Sequence, residues 1–228
     1  MTIAIMGAMQ EEIEPLLEFF TDVIIEEYGA NKYYKCRYNS HDIILAYSKI
    51  GKVFASLTAT TMIEKFGAKK LLFSGVAGAI SSDLKIGDLI VATKLCQHDL
   101  DITAFGHPSG YVPGGSVYVQ SDSELLKLSR DVAKELGISL KEGIIATGDQ
   151  FVADRKRKEW IESRFKADAL EMEGASVGVV CQALGVPFFV LRAISDSADD
   201  DAGVDFDEFL KTSAKNSAEF LAKMLEKI

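Results

Sequence analysis

Short apolar runs alternate with longer stretches of helical apolar spacing along the whole chain. Ile3–Met6 reads as a buried strand ended by Gly7, and Gln10–Phe20 as a helix with an acidic first turn. Lys32–Tyr38 and Asp42–Tyr47 form a strand pair joined at Asn39-Ser40, two turn-forming residues. Gly51–Phe66 has helical spacing, with Val53, Leu57 and Ile63 on or near one side. Lys70–Phe73 is a strand that leads into Ser74-Gly-Val-Ala-Gly-Ala79, whose glycines suggest backbone amides facing a ligand, with a tight turn and close chain packing as the plain alternative. Further strands are expected at Asp88–Thr93, Gly143–Ala146 and Pro187–Ile194, with helices at Ser123–Leu136, Arg155–Phe165, Gly174–Leu184 and Phe206–Leu225. The alternation predicts a single α/β domain over residues 1–228, a central mixed twisted sheet flanked by helices. Asp99 to Gly115 is a loop longer than compact domains usually carry, and such loops tend to be functional lids or interface arms.

Composition narrows the function classes. Hydrophobic residues make up 48% of the 228, enough for a sizeable core. The net charge of -9 disfavours nucleic-acid and anionic-membrane partners, since no basic stripe exists to neutralise phosphates. The one dense basic cluster, Arg155-Lys-Arg-Lys158, adjoins Glu159 and Glu162 and reads as a solvated helix face. Cys36, Cys96 and Cys181 are scattered and odd in number, which fits reduced thiols in a cytoplasmic protein. No secretion signal is recognisable, and the most apolar region, Val177 to Leu191, is broken by Gln182, Gly185 and Pro187.

The chemistry lies in acids placed where apolar runs end. Glu11 and Glu12 follow the first strand; Glu171 and Glu173 sit at a strand-to-helix corner; Arg192 and Asp196 flank the end of the last strand. Each has a plain alternative: favourable charge at a helix N-terminus, a solvated corner, and a salt bridge with a helix cap. Open α/β sheets bind ligands beyond the carboxyl ends of their strands, so the three groups can converge. Ser74–Ala79 is neither GxGxxG nor a P-loop. His41, His98 and His107 lack metal-ligand spacing, and no Gly-x-Ser-x-Gly elbow is present. Carboxylate chemistry without metal or redox cofactor remains, as in glycosidic cleavage, where one group protonates the leaving side and another steers water.

In their joint order, Gly7-Ala-Met-Gln-Glu-Glu12, Ser48–Val53, Gly75-Val-Ala-Gly78, Gly87–Val91, Asp101–Phe105, Gly148–Phe151, Glu171-Met-Glu173, Arg192–Asp196 and Phe206–Phe209 resemble the 5′-methylthioadenosine/S-adenosylhomocysteine nucleosidases of the purine nucleoside phosphorylase-like superfamily. The resemblance implies that Glu12 activates water and Asp196 protonates purine N7. It implies that Glu173, beside Met172, holds the ribose hydroxyls, and that Phe151 stacks on adenine while the Val152 backbone reads its edge. Ser195 would support the purine end, with Arg192 and Glu171 in the ribose-side polar network. Met9, Ile50 and Phe206 would be apolar walls, and Ala77 and Gly78 would approach sugar and purine. Family members are homodimers, so Ile102, Phe105, His107 and Pro113 would come from the partner chain. Val76 replaces a hydroxyl residue that many relatives use to orient the purine-recognising aspartate, and His107 replaces a tyrosine. Both changes resemble a branch that also cleaves aminofutalosine on a menaquinone route. A phosphorylase and a non-catalytic nucleoside-binding domain stay open as alternatives.

Overall fold

The computed structural model describes residues 1–198 and 202–228. Ten strands form one mixed sheet: β1 (Thr2–Gly7), β2 (Thr21–Tyr28), β3 (Asn31–Tyr38), β4 (His41–Tyr47), β5 (Lys70–Ala79), β6 (Leu89–Gln97), β7 (Tyr118–Gln120), β8 (Leu140–Thr147), β9 (Ala169–Glu171) and β10 (Phe188–Asp196). Six helices cover it: α1 (Gln10–Leu17), α2 (Lys52–Glu64), α3 (Ser123–Leu136), α4 (Arg155–Phe165), α5 (Gly174–Leu184) and α6 (Ala202–Leu225). One core cluster lies on the α2 and α5 side, through Ala59, Met62, Val177 and Cys181. Another lies on the α1, α3 and α6 side, through Ile13, Leu16, Val132 and Leu221. Among the described residues, no helix is long and apolar enough to cross a membrane.

β5 organises the sheet. It runs parallel to β10 along one edge, and β10 continues through β6, β8 and β9 back to β5. These five strands therefore close into a ring, while β1, β4, β3 and β2 extend outward from β5. Along its second edge β5 pairs with β1 up to Phe73 and with β9 from Gly78 onward. The short stretch between those partners lies at the centre of the site.

Several expectations needed correcting. Ser74–Ala79 is buried strand, not turn; both its glycines face crowded neighbours, as described below. α2 buries the small residues Ala55 and Ala59 with Met62 and Ile63, while Val53 (77% exposed) and Leu57 point outward. The basic cluster is not wholly solvated: Arg157 donates to His98 Nδ1 at 3.1 Å and Lys158 to the Ser197 carbonyl at 2.6 Å. β6 runs on to Gln97, so the long loop begins at His98 and contains a single 3-10 turn, Thr103–Phe105. α1 stops at Leu17, and α6 includes residues ahead of Phe206.

Candidate active site

The carboxyl ends of β1, β4, β5, β8 and β10 surround a cavity of about 270 Å³. Met9, Glu12, Ile50, Val76, Ala77, Gly78, Phe151, Val152, Glu171, Met172, Glu173, Ser195, Asp196 and Phe206 line it, as do Ala8, Gln150, Leu170 and Ala198. Residues from far-apart parts of the chain thus meet at one place, beyond the carboxyl ends of the strands.

Glu12 is built into the fold as a backbone acceptor. Its Oε2 accepts the N–H groups of Ala8 at 2.5 Å and Met9 at 3.0 Å. The bond to Met9, the residue before α1, is one half of a capping box. Oε1 accepts the Val76 N–H at 2.9 Å, in the stretch of β5 between its pairings with β1 and β9. Burial nevertheless raises the Glu12 carboxyl above its ordinary value; the charge of Arg192 and these three backbone bonds act in the opposite direction.

Asp196 reaches the cavity through a bulge. The β10–β5 register runs from Ile194 opposite Ala77 to Asp196 opposite Gly78, leaving Ser195 extra. The Ser195 hydroxyl donates to Asp196 Oδ2 at 2.8 Å, and the Ala198 N–H donates to Oδ1 at 2.9 Å. Ser195 thus gives Asp196 a buried hydroxyl partner from its own strand.

The acid pair at the corner divides its work. Glu171 accepts the N–H groups of Glu173 at 3.1 Å and Gly174 at 2.6 Å, at the start of α5. It also accepts from the Thr147 hydroxyl and from Arg192 Nη2 at 2.7 Å. Arg192 (1% exposed) does not line the cavity. It lies behind the wall, stacked 4.0 Å from the Phe73 ring centroid, with Glu171 as its ion-pair partner. Removing either partner would strand a buried charge, a cost of about 3–5 kcal/mol. Glu173 accepts the Gly51 N–H at 2.7 Å through Oε1, and Oε2 takes no hydrogen bond among the described residues. Burial pushes its carboxyl upward, and the nearby Glu171 charge adds to that.

Sequence reasoning missed the purpose of the glycines and the part played by Thr147. Gly75 lies opposite Arg192 and Gly78 opposite Asp196. A Cβ at 75 would lie 2.6 Å from Glu12 Oε1; one at 78 would lie 2.5 Å from Asp196 Oδ1. The glycines give room to carboxylates, whereas the sequence had suggested amides facing a ligand. Gly78→Ala should therefore displace Asp196. We expect kcat to fall at least about tenfold with roughly 1–3 kcal/mol lost in stability from overpacking, read by steady-state kinetics beside urea unfolding. Thr147 donates to Glu171 and accepts the Ala175 N–H at 2.8 Å, joining β8 to α5. Its signal was a hydroxyl at the end of an apolar strand, just before Gly148.

Ile102, Phe105, His107 and Pro113 lie outside this cavity. Phe105 is 80% exposed, His107 stacks on Tyr111 at 4.5 Å, and Pro113 lines a separate cleft with Val119, Val179 and Gln182. Exposed Ile50, Val53, Phe54 and Leu57 give the start of α2 an apolar outer face.

Fold and site together define an α/β enzyme of the nucleoside phosphorylase-like class, with buried carboxylates lining its cavity. The chain belongs to the phosphorylase superfamily, whose family profile it matches over residues 2–226. It is 58% identical to the aminodeoxyfutalosine nucleosidase of Campylobacter jejuni over 228 residues, 100% of both chains. Identity to the 5′-methylthioadenosine/S-adenosylhomocysteine nucleosidase of Actinobacillus succinogenes is 38%, again over 100% of both chains. The crystal structure of the Helicobacter pylori 5′-methylthioadenosine/S-adenosylhomocysteine nucleosidase, complexed with a pyrrolidin-3-ol compound, superposes with a TM-score of 0.98 at 53% identity, covering 100% of this chain and 98% of that one.

Proposed function

We infer that this chain is a nucleosidase that hydrolyses the N-glycosidic bond of 5′-substituted adenosines and releases adenine, with 6-amino-6-deoxyfutalosine among its substrates. The observation that carries this reading is that Glu12 and Asp196 enter one cavity beside the same strand, opposite the clearances at Gly75 and Gly78. As the base departs, the sugar becomes oxocarbenium-like, and nearby anions lower that barrier. Asp196, oriented by Ser195, protonates N7 of the leaving purine. Glu12 takes a proton from the attacking water. Glu173 directs its unbonded oxygen to the ribose hydroxyls. Phe151 stacks on the base and the Val152 backbone reads its edge; Met9, Ile50 and Phe206 close the apolar sides. Arg192 serves the ribose-side network through its ion pair with Glu171 and its charge near Glu12.

A phosphorylase is the weaker reading. An entering phosphate needs free donors or cations. Here the Ala8, Met9 and Val76 amides are filled by Glu12, and Arg192 is committed to Glu171. The apolar outer face of α2, with Phe105, supports a homodimer in which Ile102, Phe105, His107 and Pro113 complete the partner's pocket around the 5′ substituent. The buried free thiols of Cys36, Cys96 and Cys181 suit a cytoplasmic setting. High homology to the aminodeoxyfutalosine nucleosidases, together with Val76 and His107, supports the wider substrate range.

The test is free adenine measured in phosphate-free buffer from 5′-methylthioadenosine, S-adenosylhomocysteine, 5′-deoxyadenosine and aminodeoxyfutalosine. Release that ignores added phosphate is expected. A strict phosphate requirement would make the chain a phosphorylase. Tight binding of 5′-methylthioadenosine with no release would make it a binding domain.

A further inference from the structure

We propose that the Lys52–Asp99 ion pair is a positioning device for the purine wall: it fixes Asp149, and through Asp149 the segment that carries Phe151 and Val152. The proposal rests on the assignment of that wall to adenine.

Side-chain packing holds the segment from within, Val152 against Ile161 and Phe165 and the Phe151 ring edge-on to Phe206 at 5.6 Å, but its backbone has few ties. Residues 150–153 form no regular element, and among the described residues they make no hydrogen bond of their own. Downstream, the next tie is Asp154, which caps α4 through the Lys156 N–H. Upstream, it is Asp149, and both of its bonds lead to the same pair. The Asp149 N–H donates to Asp99 Oδ2 at 2.8 Å, and Asp149 Oδ1 accepts the Lys52 N–H at 2.8 Å. Lys52 Nζ then closes the circuit on Asp99 Oδ1 at 2.7 Å and also donates to Gln97 Oε1 at 3.2 Å. Three strand ends are thereby joined: Lys52 lies just after β4, Asp99 after β6 and Asp149 after β8.

The pair is partly shielded, with side-chain exposures of 18% and 16%, so salt screens it less than an open surface pair. Burial would push the Asp99 carboxyl up, but the Lys52 and Asp149 bonds hold it below its ordinary value. Gly51 adds a second sign of close fit. Its φ is +101°, and a Cβ there would lie 3.1 Å from Asp149 Oδ1. The same turn sends the Gly51 N–H to Glu173 and the next N–H, of Lys52, to Asp149. The start of α2 therefore sets the ribose side and the purine side together.

Asp99→Asn tests the device sharply. Both carboxylate oxygens of Asp99 receive donors, and an asparagine offers one acceptor oxygen, so one donor must face an NH₂ group. Losing a charge-assisted bond there is expected to raise KM for 5′-methylthioadenosine and Ki for adenine about tenfold each, with kcat changed less than about threefold. Lys52→Met should act the same way, and Lys52→Arg, which keeps a charged donor, should restore both constants to within about threefold of wild type. The Asp99→Asn/Lys52→Met double variant should fall well short of the product of the two single effects, because both act through the same pair. If Asp99→Asn does not fold, the two Lys52 variants carry the comparison.

A purely structural brace would lower the thermal midpoint and leave KM and adenine Ki of the folded enzyme unchanged. That result, or a Lys52→Arg enzyme as impaired as Lys52→Met, overturns the proposal. Wild-type enzyme that releases no adenine overturns the nucleosidase reading instead, so the two failures are distinguishable.

Discussion

Glu12→Gln is expected to lower kcat/KM by about 10²–10⁴-fold, the usual worth of a general base. The side chain keeps its size and loses its ability to take a proton from water. The pH profile provides an independent check. Burial raises the Glu12 carboxyl above the ordinary 4.5, so the basic form disappears as pH falls through that raised value. Wild-type kcat/KM should therefore decline on an acid limb centred above 4.5, and that limb should vanish in the glutamine variant. Persistence of the same limb in Glu12→Gln would assign it to another group and remove Glu12 as the base.

Asp196→Asn should lose at least about a hundredfold in turnover while still binding substrate analogues. A hundredfold corresponds to roughly 2.7 kcal/mol of transition-state stabilisation. The amide preserves shape: its oxygen can keep the Ala198 N–H, and the Ser195 hydroxyl can turn to accept from the new NH₂ group, so the pocket should keep its form. What disappears is the proton for N7. A discriminating measurement compares adenosine-like substrates with a nucleoside whose leaving group needs no protonation: the variant should be far less impaired on the second. Equal impairment on both would point to a damaged pocket, and near-normal turnover on adenosine substrates would take Asp196 out of the reaction.

Most of the sheet was legible because β1, β4 and β10 are short apolar runs, and because the tyrosine-rich β3 ends at the turn pair Asn39-Ser40. β2 was missed. Thr21–Tyr28 mixes Asp22, Glu26 and Glu27 with Val23, Ile24 and Ile25, and as an edge strand exposed along most of its length it has no need of alternation. β7 is only three residues long, too short for a pattern. The acids of the site were legible because each ends an apolar strand, where a solvated turn or a cleft are the natural alternatives. Their pairings were not. Arg192 and Asp196 are four apart and would share one face of a regular strand. The extra residue at Ser195 breaks that alternation, and Arg192 pairs with Glu171 instead. Val53 and Leu57 misled for a related reason. Small residues, Ala55 and Ala59, take the buried side of α2, so larger apolar groups remain outside.

The crowding of Glu12 and Asp196 against Gly75 and Gly78 bears on how distant homologues are judged. A survey that checks only for the three acids would count a chain with alanine at either glycine as active. Such a chain would display every reactive group and have nowhere to seat two of them. The missing methyl groups are as diagnostic of a working member as the carboxylates themselves, and degenerate copies of this gene should be recognised first by what they have gained at those two positions.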